Sequence, residues 1–540
     1  MKKVQATTND RSSFGPAPVA IDCTPDKSVA VASKGREFSA RDALIECMDN
    51  AEFWQDADGN SFVTVLHNGI RKHFSLESRG FKRLLSGQYY LSFNHGATIN
   101  AIKEAIATFD AKAVISEKIL EPSLRFARAD GKLYLDLCND SWDVVEISAD
   151  GWNIVKNVGG DVRFIRKDNM HSLPRPITPG DGENPLEELR ALLNTPAESW
   201  RLLLSCVIAC FDPSIARPIL MLQGEQGSGK SLLLTILRKL IDPNKANARN
   251  LPREEDELFI MAANNAIMFF DNVSGLPAWL SDAFCKICTG GGYSKRTLYE
   301  NADEFVLEAK RPIWLNGISR FINRDDMAER TTTIFLDAIE QDKRKLEQEI
   351  LSWFNANHAR LLGALVEVVS SALRNLPNTS IVNKPRMADF ALFASAAAPS
   401  LGWNQEEFLL AFNEDKQKAQ RDLVQNTILG LLIVRFLTSI ENQQWEGSAS
   451  ELLEKLRNLE PAYKNDLPKS PRILSSELGR LTPALRTTGL LVKKGHNRGG
   501  SFIQMSFTSQ PTTTREERDA ELHARASALR PDPESDFNLP

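Results

Sequence analysis

The sequence predicts an α/β core built on a mostly parallel sheet, with an α+β domain before it and a helical region and a small basic module after it. Three observations carry this. Short apolar runs that read as buried strands (RPILML, NNAIMFFD and RPIWLN) alternate with helical or polar stretches such as SLLLTILRKLI, the order that builds a parallel sheet. Residues 61–76 and 131–157 alternate in hydrophobicity and carry turn dipeptides, as antiparallel strands do. From Gln341 to Asn442 nearly every window is helical, broken at LPNTSIVNKP.

A chain of 540 residues exceeds one hydrophobic core, so two to four domains are expected. With 42% hydrophobic and 25% charged residues it is globular. The longest apolar stretch, Leu202 to Phe211, is interrupted by Ser205 and reaches about half a membrane span, so no membrane partner is expected. The opening MKKVQATTNDRSS has no apolar run behind its lysines, which excludes a signal peptide. Seven scattered cysteines fit reduced thiols in a cytoplasm. The net charge of −5 confines any nucleic-acid-binding surface to local patches.

Residues 1–36 are polar and aperiodic and read as a disordered leader. Residues 37–171 form the N-terminal α+β domain. In it REFSARDALIECMDNAEFW has helical spacing, and SFVTVLHNGIRKHFSL reads as a hairpin turning at Asn68-Gly69. GKLYLDLCNDSWDVVEISADGWNIVKN reads as two or three strands with turns at Asn139-Asp140 and Asp150-Gly151. Residues 172–185 hold four prolines and read as a linker. The core is expected over 186–340, the helical region over 341–445, the basic module over 446–508 and a disordered tail over 509–540.

The strongest chemical signal is Gly224-Glu-Gln226-Gly227-Ser228-Gly229-Lys230-Ser231, which fits G-x-x-x-x-G-K-[ST] between a hydrophobic strand and a helix. This is a P-loop. The glycines let backbone N–H groups converge on phosphates at a helix N-terminus. Lys230 is placed to reach the β and γ phosphates of ATP and Ser231 to ligate Mg²⁺. The apolar strand Ile267–Asp271 ends in the carboxylate such a site needs for its metal. Asn272 follows it, where many ATPases have a water-orienting glutamate, so the base is open between Asp271 and another acid. The strand Pro312–Asn316 ends in a polar residue placed to sense the γ phosphate. Arg330, beyond that strand, is the candidate arginine finger from a neighbouring subunit, with Arg324 as runner-up. A finger in trans implies a homo-oligomeric ring, most simply a hexamer.

In this order (P-loop, strand-end Asp271, the segment CTGGGYSKRTLYENADEFVLEAKRP, then the strand ending in Asn316) the chain resembles superfamily 3 helicases of the AAA+ class. It is closer to the primase-helicases of phages and plasmids, related to the poxvirus type. The resemblance covers roughly residues 125–508 and is specific through 218–335. It implies an AAA+ ATPase core with a helical lid and a β-hairpin, between the second strand and the Asn316 strand, that faces a central channel. Polyomavirus and papillomavirus relatives grip DNA with a Lys-His pair at the hairpin tip. Here the tip is Glu300–Glu304, which leaves Lys295 and Arg296 nearby as the DNA-binding candidates.

Other constellations read as structural. Cys285 and Cys288 fall on one face of a helix with no further ligand pair near them, short of the four that zinc needs. Asp136 and Asp140 flank a turn and do not share a strand face, so a primase metal site is not expected. Residues 446–508 carry ten Lys/Arg against six Asp/Glu, in the order helix, helix, hairpin, which is that of a winged-helix module. Lys493, Lys494 and Arg498 fall at its expected hairpin tip as DNA contacts. The ending ESDFNLP resembles acid–aromatic peptides that dock on host replication proteins.

The expectation is a cytoplasmic, ATP- and Mg²⁺-dependent DNA helicase or origin-remodelling ATPase of a phage or mobile element. The alternative is a non-helicase AAA+ NTPase switch in regulation or defence.

Overall fold

The computed structural model describes residues 39–296, 304–317, 324–497 and 500–508. The leader, the tail and Arg498 lie outside the described residues. The chain divides into two compact units at Leu120.

The first unit holds α1 (Ala40–Glu46), β1 (Glu52–Gln55), β2 (Ser61–His67), β3 (Ile70–Ser75), α2 (Arg79–Phe93) and α3 (Ile99–Ile115). Its strands pair antiparallel in chain order. Asn68 and Gly69 both take positive φ, the two-residue turn whose twist suits a hairpin. The helix expected across the preceding segment stops at Glu46, because Glu52–Gln55 pair with Ser61–Thr64 instead. Phe53 and Val63 on the sheet meet Phe81, Leu85 and Phe109 on the helices in one core.

The second unit opens with β4 (Pro122–Ser123), β5 (Phe126–Ala129), β6 (Lys132–Asp136), β7 (Val144–Ser148), β8 (Gly151–Val155) and β9 (Arg163–Phe164). β5 to β8 form an antiparallel meander, and β4 pairs with β9. Ser148 pairs with Gly151, so the last turn is Ala149-Asp150, one residue before the expected one. Leu133, Leu135, Val145 and Ile147 share a core with Leu203, Leu237 and Leu365 far along the chain. A buried Arg125 donates from Nε to Asp242 at 3.1 Å and from Nη1 to the Asp136 carbonyl at 3.0 Å.

The expected single domain over 37–171 is therefore corrected: the break is at Leu120, and the meander belongs to the core behind it. The expected linker is corrected too. Prolines hold residues 172–185 extended, but the segment is strapped to a later helix. Leu173 is buried, the Ile177 N–H donates to the Ala359 carbonyl at 3.0 Å, and a methyl on Gly363 would stand 1.8 Å from the Ile177 carbonyl oxygen.

The central elements follow as α4 (Pro185–Leu192), α5 (Ala197–Ala209), β10 (Ile219–Gly224), α6 (Lys230–Ile241), α7 (Glu255–Asn264), β11 (Met268–Phe270) and α8 (Ala278–Thr289). After these come β12 (Gly291–Arg296), β13 (Glu304–Ala309), β14 (Ile313–Gly317), α9 (Asp325–Arg330) and β15 (Thr331–Leu336). The sheet is parallel with order β11-β14-β10-β15. Its strands are buried on both faces, and alternate residues enter different cores. Leu220, Leu222, Phe269 and Trp314 join α5 and α6, whereas Met221, Met268, Phe270 and Leu315 join α7 and α8. The chain leaves β10 for the outer β11, returns to insert β14, then crosses to β15. That reversal opens a crevice at the carboxyl ends of β10 and β14, where ligands of open parallel sheets bind.

β12 and β13 pair as the expected hairpin, Lys295 opposite Phe305 and Arg296 opposite Glu304. Glu304 belongs to the strand. The rest of the expected tip, with Leu298 and Tyr299, lies outside the described residues.

Helices α10 (Glu347–Asn375), α11 (Ala388–Ala397) and α12 (Gln405–Asn426) follow. The module behind them holds α13 (Ile428–Ser439), β16 (Gln444–Gly447), α14 (Ala449–Leu459), α15 (Pro471–Thr487), β17 (Leu490–Asn497) and β18 (Gly500–Phe507). Between α12 and α13 the axis bends by 85° at Thr427, whose hydroxyl caps α13. α13 packs with α14, α15 and β18 in a separate core, so the C-terminal module begins at α13 rather than at 446. Its sheet has the antiparallel order β16-β18-β17. Among the described residues no single helix is long and apolar enough to cross a membrane.

Candidate functional site

The glycine-rich turn leaves β10 at the sheet's reversal point and runs into α6. Gly224, Gly227 and Gly229 all take positive φ. At Gly224 the reason is space as well as conformation, since a methyl there would stand 2.1 Å from the Leu336 carbonyl oxygen on β15. The loop thus lies directly against the end of the neighbouring strand. Glu225, Gln226 and Gly227 are exposed, whereas Ser228 is buried and its hydroxyl donates to the Glu225 carbonyl at 2.9 Å.

Lys230 is the first residue of α6 and is almost wholly buried. Its Nζ donates to the carbonyls of Gly224 and Glu225 at 2.8 and 2.7 Å and to the Ser228 hydroxyl at 3.1 Å. Burial pushes its pKa down, and the charge of Asp271 opposes that. The ammonium therefore sits in the bowl of the loop, held by acceptors that an anionic ligand would replace.

Next to it the ends of three elements meet. Asn316 Nδ2, at the end of β14, donates to the Ser231 hydroxyl at 3.0 Å, and Ser231 donates to Asp271 Oδ1 at 3.0 Å. Asp271 directly follows β11. Asn272 takes a positive φ of 55° and turns its N–H onto Asn316 Oδ1 at 2.8 Å. The Val273 N–H donates to the Asn316 carbonyl, also at 2.8 Å. Asn316 is 1% exposed, Asp271 is half-buried and Ser231 is open to solvent. Amide, hydroxyl and carboxylate form one chain of hydrogen bonds at the mouth of the loop.

The structure thus brings together Lys230, Ser231, Asp271 and Asn316 with the glycine loop. The backbone of Asn272 is a contributor that the sequence reading missed. The available signal was that asparagine tolerates left-handed backbone better than most residues.

Arg330 is not brought to this site. Its Nη1 donates to the Asp326 carbonyl at 2.8 Å and stands 3.9 Å from the Asp326 carboxylate, with the side chain 17% exposed. Arg324 is more open, at 30%, and pairs with Asp282 at 2.6 Å. The thiols of Cys285 and Cys288 on α8 are buried, and desolvation pushes them up to about 12 and about 11, as inert structural cysteines. Among the described residues no cluster of His, Cys, Asp and Glu could hold a metal by itself.

The C-terminal cations differ from expectation. β17 continues through Gly495, His496 and Asn497, which pair with Phe502, Ser501 and Gly500. Lys493 and Lys494 therefore stand within the ladder, opposite Gln504 and Ile503, and not at the hairpin tip. Lys493 is exposed. Lys494 bends onto α15, where its Nζ donates to the carbonyl of Ser475.

Among curated proteins none matches the chain. Of solved structures, the apo NrS-1 C-terminal region (305–718) is similar at 12% identity, covering 86% of this chain and 98% of that one, with a TM-score of 0.36. A full-length MCM homolog from Methanopyrus kandleri is similar at 13% identity over 68% of this chain and 74% of that one, with a TM-score of 0.27. At these scores neither likeness bears on function. Residues 186–405 match the family model described as the actinomycete integrative conjugative element replication protein, and residues 429–520 match the one described as the AICE RepA C-terminal domain. The second match begins within α13, where the C-terminal module begins. The two matches together span more than half of the chain, which belongs to the replication protein family of actinomycete integrative conjugative elements.

Proposed function

We propose that this replication protein is an ATP-hydrolysing DNA helicase or origin-remodelling ATPase, with a P-loop AAA+ core and a winged-helix C-terminal module. The observation that carries the reading is the convergence of Ser231, Asp271 and Asn316 on the mouth of a glycine loop that already holds Lys230. The donor set fits Mg²⁺. A hydroxyl and a carboxylate 3.0 Å apart offer two hard oxygens, and magnesium is commonly held by one or two protein oxygens together with substrate phosphates. When bound, the ion neutralises phosphate charge. The loop amides and Lys230 bind the phosphates, and Asn316 orients Ser231 and is placed to position a water near the terminal phosphate.

A cation from a neighbouring subunit would complete the site and imply a ring, most simply a hexamer. Arg330 and Arg324 both stand on the segment that would supply it, Arg324 with the more open side chain. DNA is the partner proposed for the hairpin, at Lys295 and Arg296, and for the C-terminal module, at Lys493, Lys494 and Arg498. Docking of the tail on host replication proteins and a cytoplasmic location belong to the same reading.

The test is strand displacement on a forked duplex with ATP and Mg²⁺. Wild type should separate the strands, and Lys230→Ala should be folded and inactive. ATP hydrolysis without strand separation would move the protein to the alternative of an NTPase switch, which the engagement of Lys494 with Ser475 favours.

Trans action is read by mixing. Arg330→Ala and Lys230→Ala proteins, each inactive, should recover partial hydrolysis on subunit exchange if Arg330 reaches across an interface. Recovery with Arg324→Ala in its place would identify Arg324 as the finger.

A further inference from the structure

We propose that Arg344 is a second phosphate-binding cation, supplied in cis by the strap that follows β15. The proposal rests on the nucleotide-site reading above. Beyond Leu336 the chain does not leave the site. Residues 337–346 double back over the glycine loop before α10 begins. A methyl built on Gly229 would stand 3.4 Å from Cδ1 of Ile339, and one on Gly227 would stand 3.6 Å from Nη2 of Arg344. Two glycines of the loop thus face the strap, one touching its apolar anchor and the other its guanidinium.

The arginine is aimed rather than loose. Its Nε donates to the Ile339 carbonyl at 3.0 Å, which closes the strap on itself and fixes the plane of the guanidinium. Among the described residues no acceptor takes Nη1 or Nη2, although Glu340 and Asp342 stand in the same segment. Glu340 pairs instead with Lys343 at 2.8 Å. A planar fork with two open N–H edges beside a loop of phosphate-binding amides suits the oxygens of a nucleoside triphosphate. It also complements Lys230, which lies in the bowl of the same loop, so the phosphates would be held between two cations.

The residue is exposed and makes no contact with either core, so its removal should leave the fold intact. Arg344→Ala should keep the wild-type Tm and weaken ATP binding by roughly 10- to 100-fold, the range of a lost charge-assisted hydrogen bond. Binding of AMP should change much less than binding of ATP, and Arg344→Lys should recover part of the loss. An arginine that only shapes the strap would move AMP and ATP alike.

Mixing distinguishes the subunit of origin. With Lys230 and Arg344 in the same site, no exchange between Lys230→Ala and Arg344→Ala proteins creates a complete site, so hydrolysis should stay absent or at the level of the Arg344 variant alone. Recovery above that level would place Arg344 in trans and overturn the cis assignment. Unchanged ATP affinity in Arg344→Ala would overturn the proposal while leaving the P-loop reading intact, provided Lys230→Ala loses affinity in the same titration. Wild-type protein that binds no ATP would sink the P-loop reading itself.

Discussion

The glycine loop at Gly224–Ser231 and the C-terminal hairpin at Leu490–Phe507 each extend a strand into glycine-bearing polar sequence, yet the fold treats them oppositely. The loop is wedged between buried strands. Gly224 touches β15, Lys230 has three acceptors, and Asn316 fixes Ser231 from a third strand. In the hairpin Lys493 is exposed with no partner among the described residues, while Lys494 on the other face lies along α15. The difference is that between a preorganised pocket and a solvated electrostatic surface. The first is sensitive to single atoms, the second to summed charge.

The sharpest way to break the contrast is Gly224→Ala. Its methyl would meet the Leu336 backbone oxygen at 2.1 Å, at the end of β15, where that strand is hydrogen-bonded alongside β10. Loop displacement should abolish ATP binding and lower stability by about 2–4 kcal/mol. Titration of a fluorescent ATP analogue alongside thermal unfolding checks both. Near-wild-type affinity would show that the loop is not held as tightly as its contacts imply.

Asn316→Ala is the next largest. It removes one of the two side-chain acceptors of the Asn272 N–H, leaving Asp271 Oδ1 at 2.9 Å, and takes from Ser231 its donor, but keeps the loop and Lys230. Hydrolysis should fall roughly 10- to 100-fold with a smaller change in ATP affinity, as for a group that acts mainly on the transition state. Asn316→Asp keeps an oxygen for Asn272 but sets a second carboxylate beside Ser231 and Asp271, so it should rescue structure and not rate. Equal losses in affinity and rate would recast Asn316 as a binding residue.

How much of this was legible follows the same contrast. The loop, the strand-end Asp271 and Asn316 were readable because phosphate binding dictates residue type at fixed spacing, and because buried parallel strands read as apolar runs. The strap at Ile177 and the break at Leu120 were not. Prolines signal extended backbone equally in a linker and in a segment laid along a helix, and only the close approach to Gly363 tells them apart. β16 and the true start of the C-terminal module were missed for a related reason. QWEG is too short to show a period, and α13 reads like its helical neighbours until the 85° bend turns it toward a different core. Sequence order does not show that the Arg330 guanidinium turns back on the Asp326 carbonyl.

The smallest effects lie in the hairpin, where two adjacent lysines should separate. The sequence places both with Arg498 at the hairpin tip, but they stand within the ladder, which alternates them to opposite faces. Lys494 reaches the Ser475 carbonyl and stands 3.1 Å from where a methyl on Gly479 would lie, so it ties β17 to α15. Lys494→Ala should therefore lower stability by about 1 kcal/mol and leave the salt dependence of duplex binding nearly unchanged. Lys493→Ala should do the reverse, with unchanged unfolding and a log–log salt slope flatter by about 0.9 if its ammonium sits on a phosphate. ATPase activity without DNA should be untouched by Lys493→Ala, because this surface lies outside the nucleotide site. If the slope moves with Lys494 and not with Lys493, the face of the hairpin turned toward DNA is the one against α15, and the contacts would have to be sought along that helix, beginning with the exposed Arg472 and Arg486.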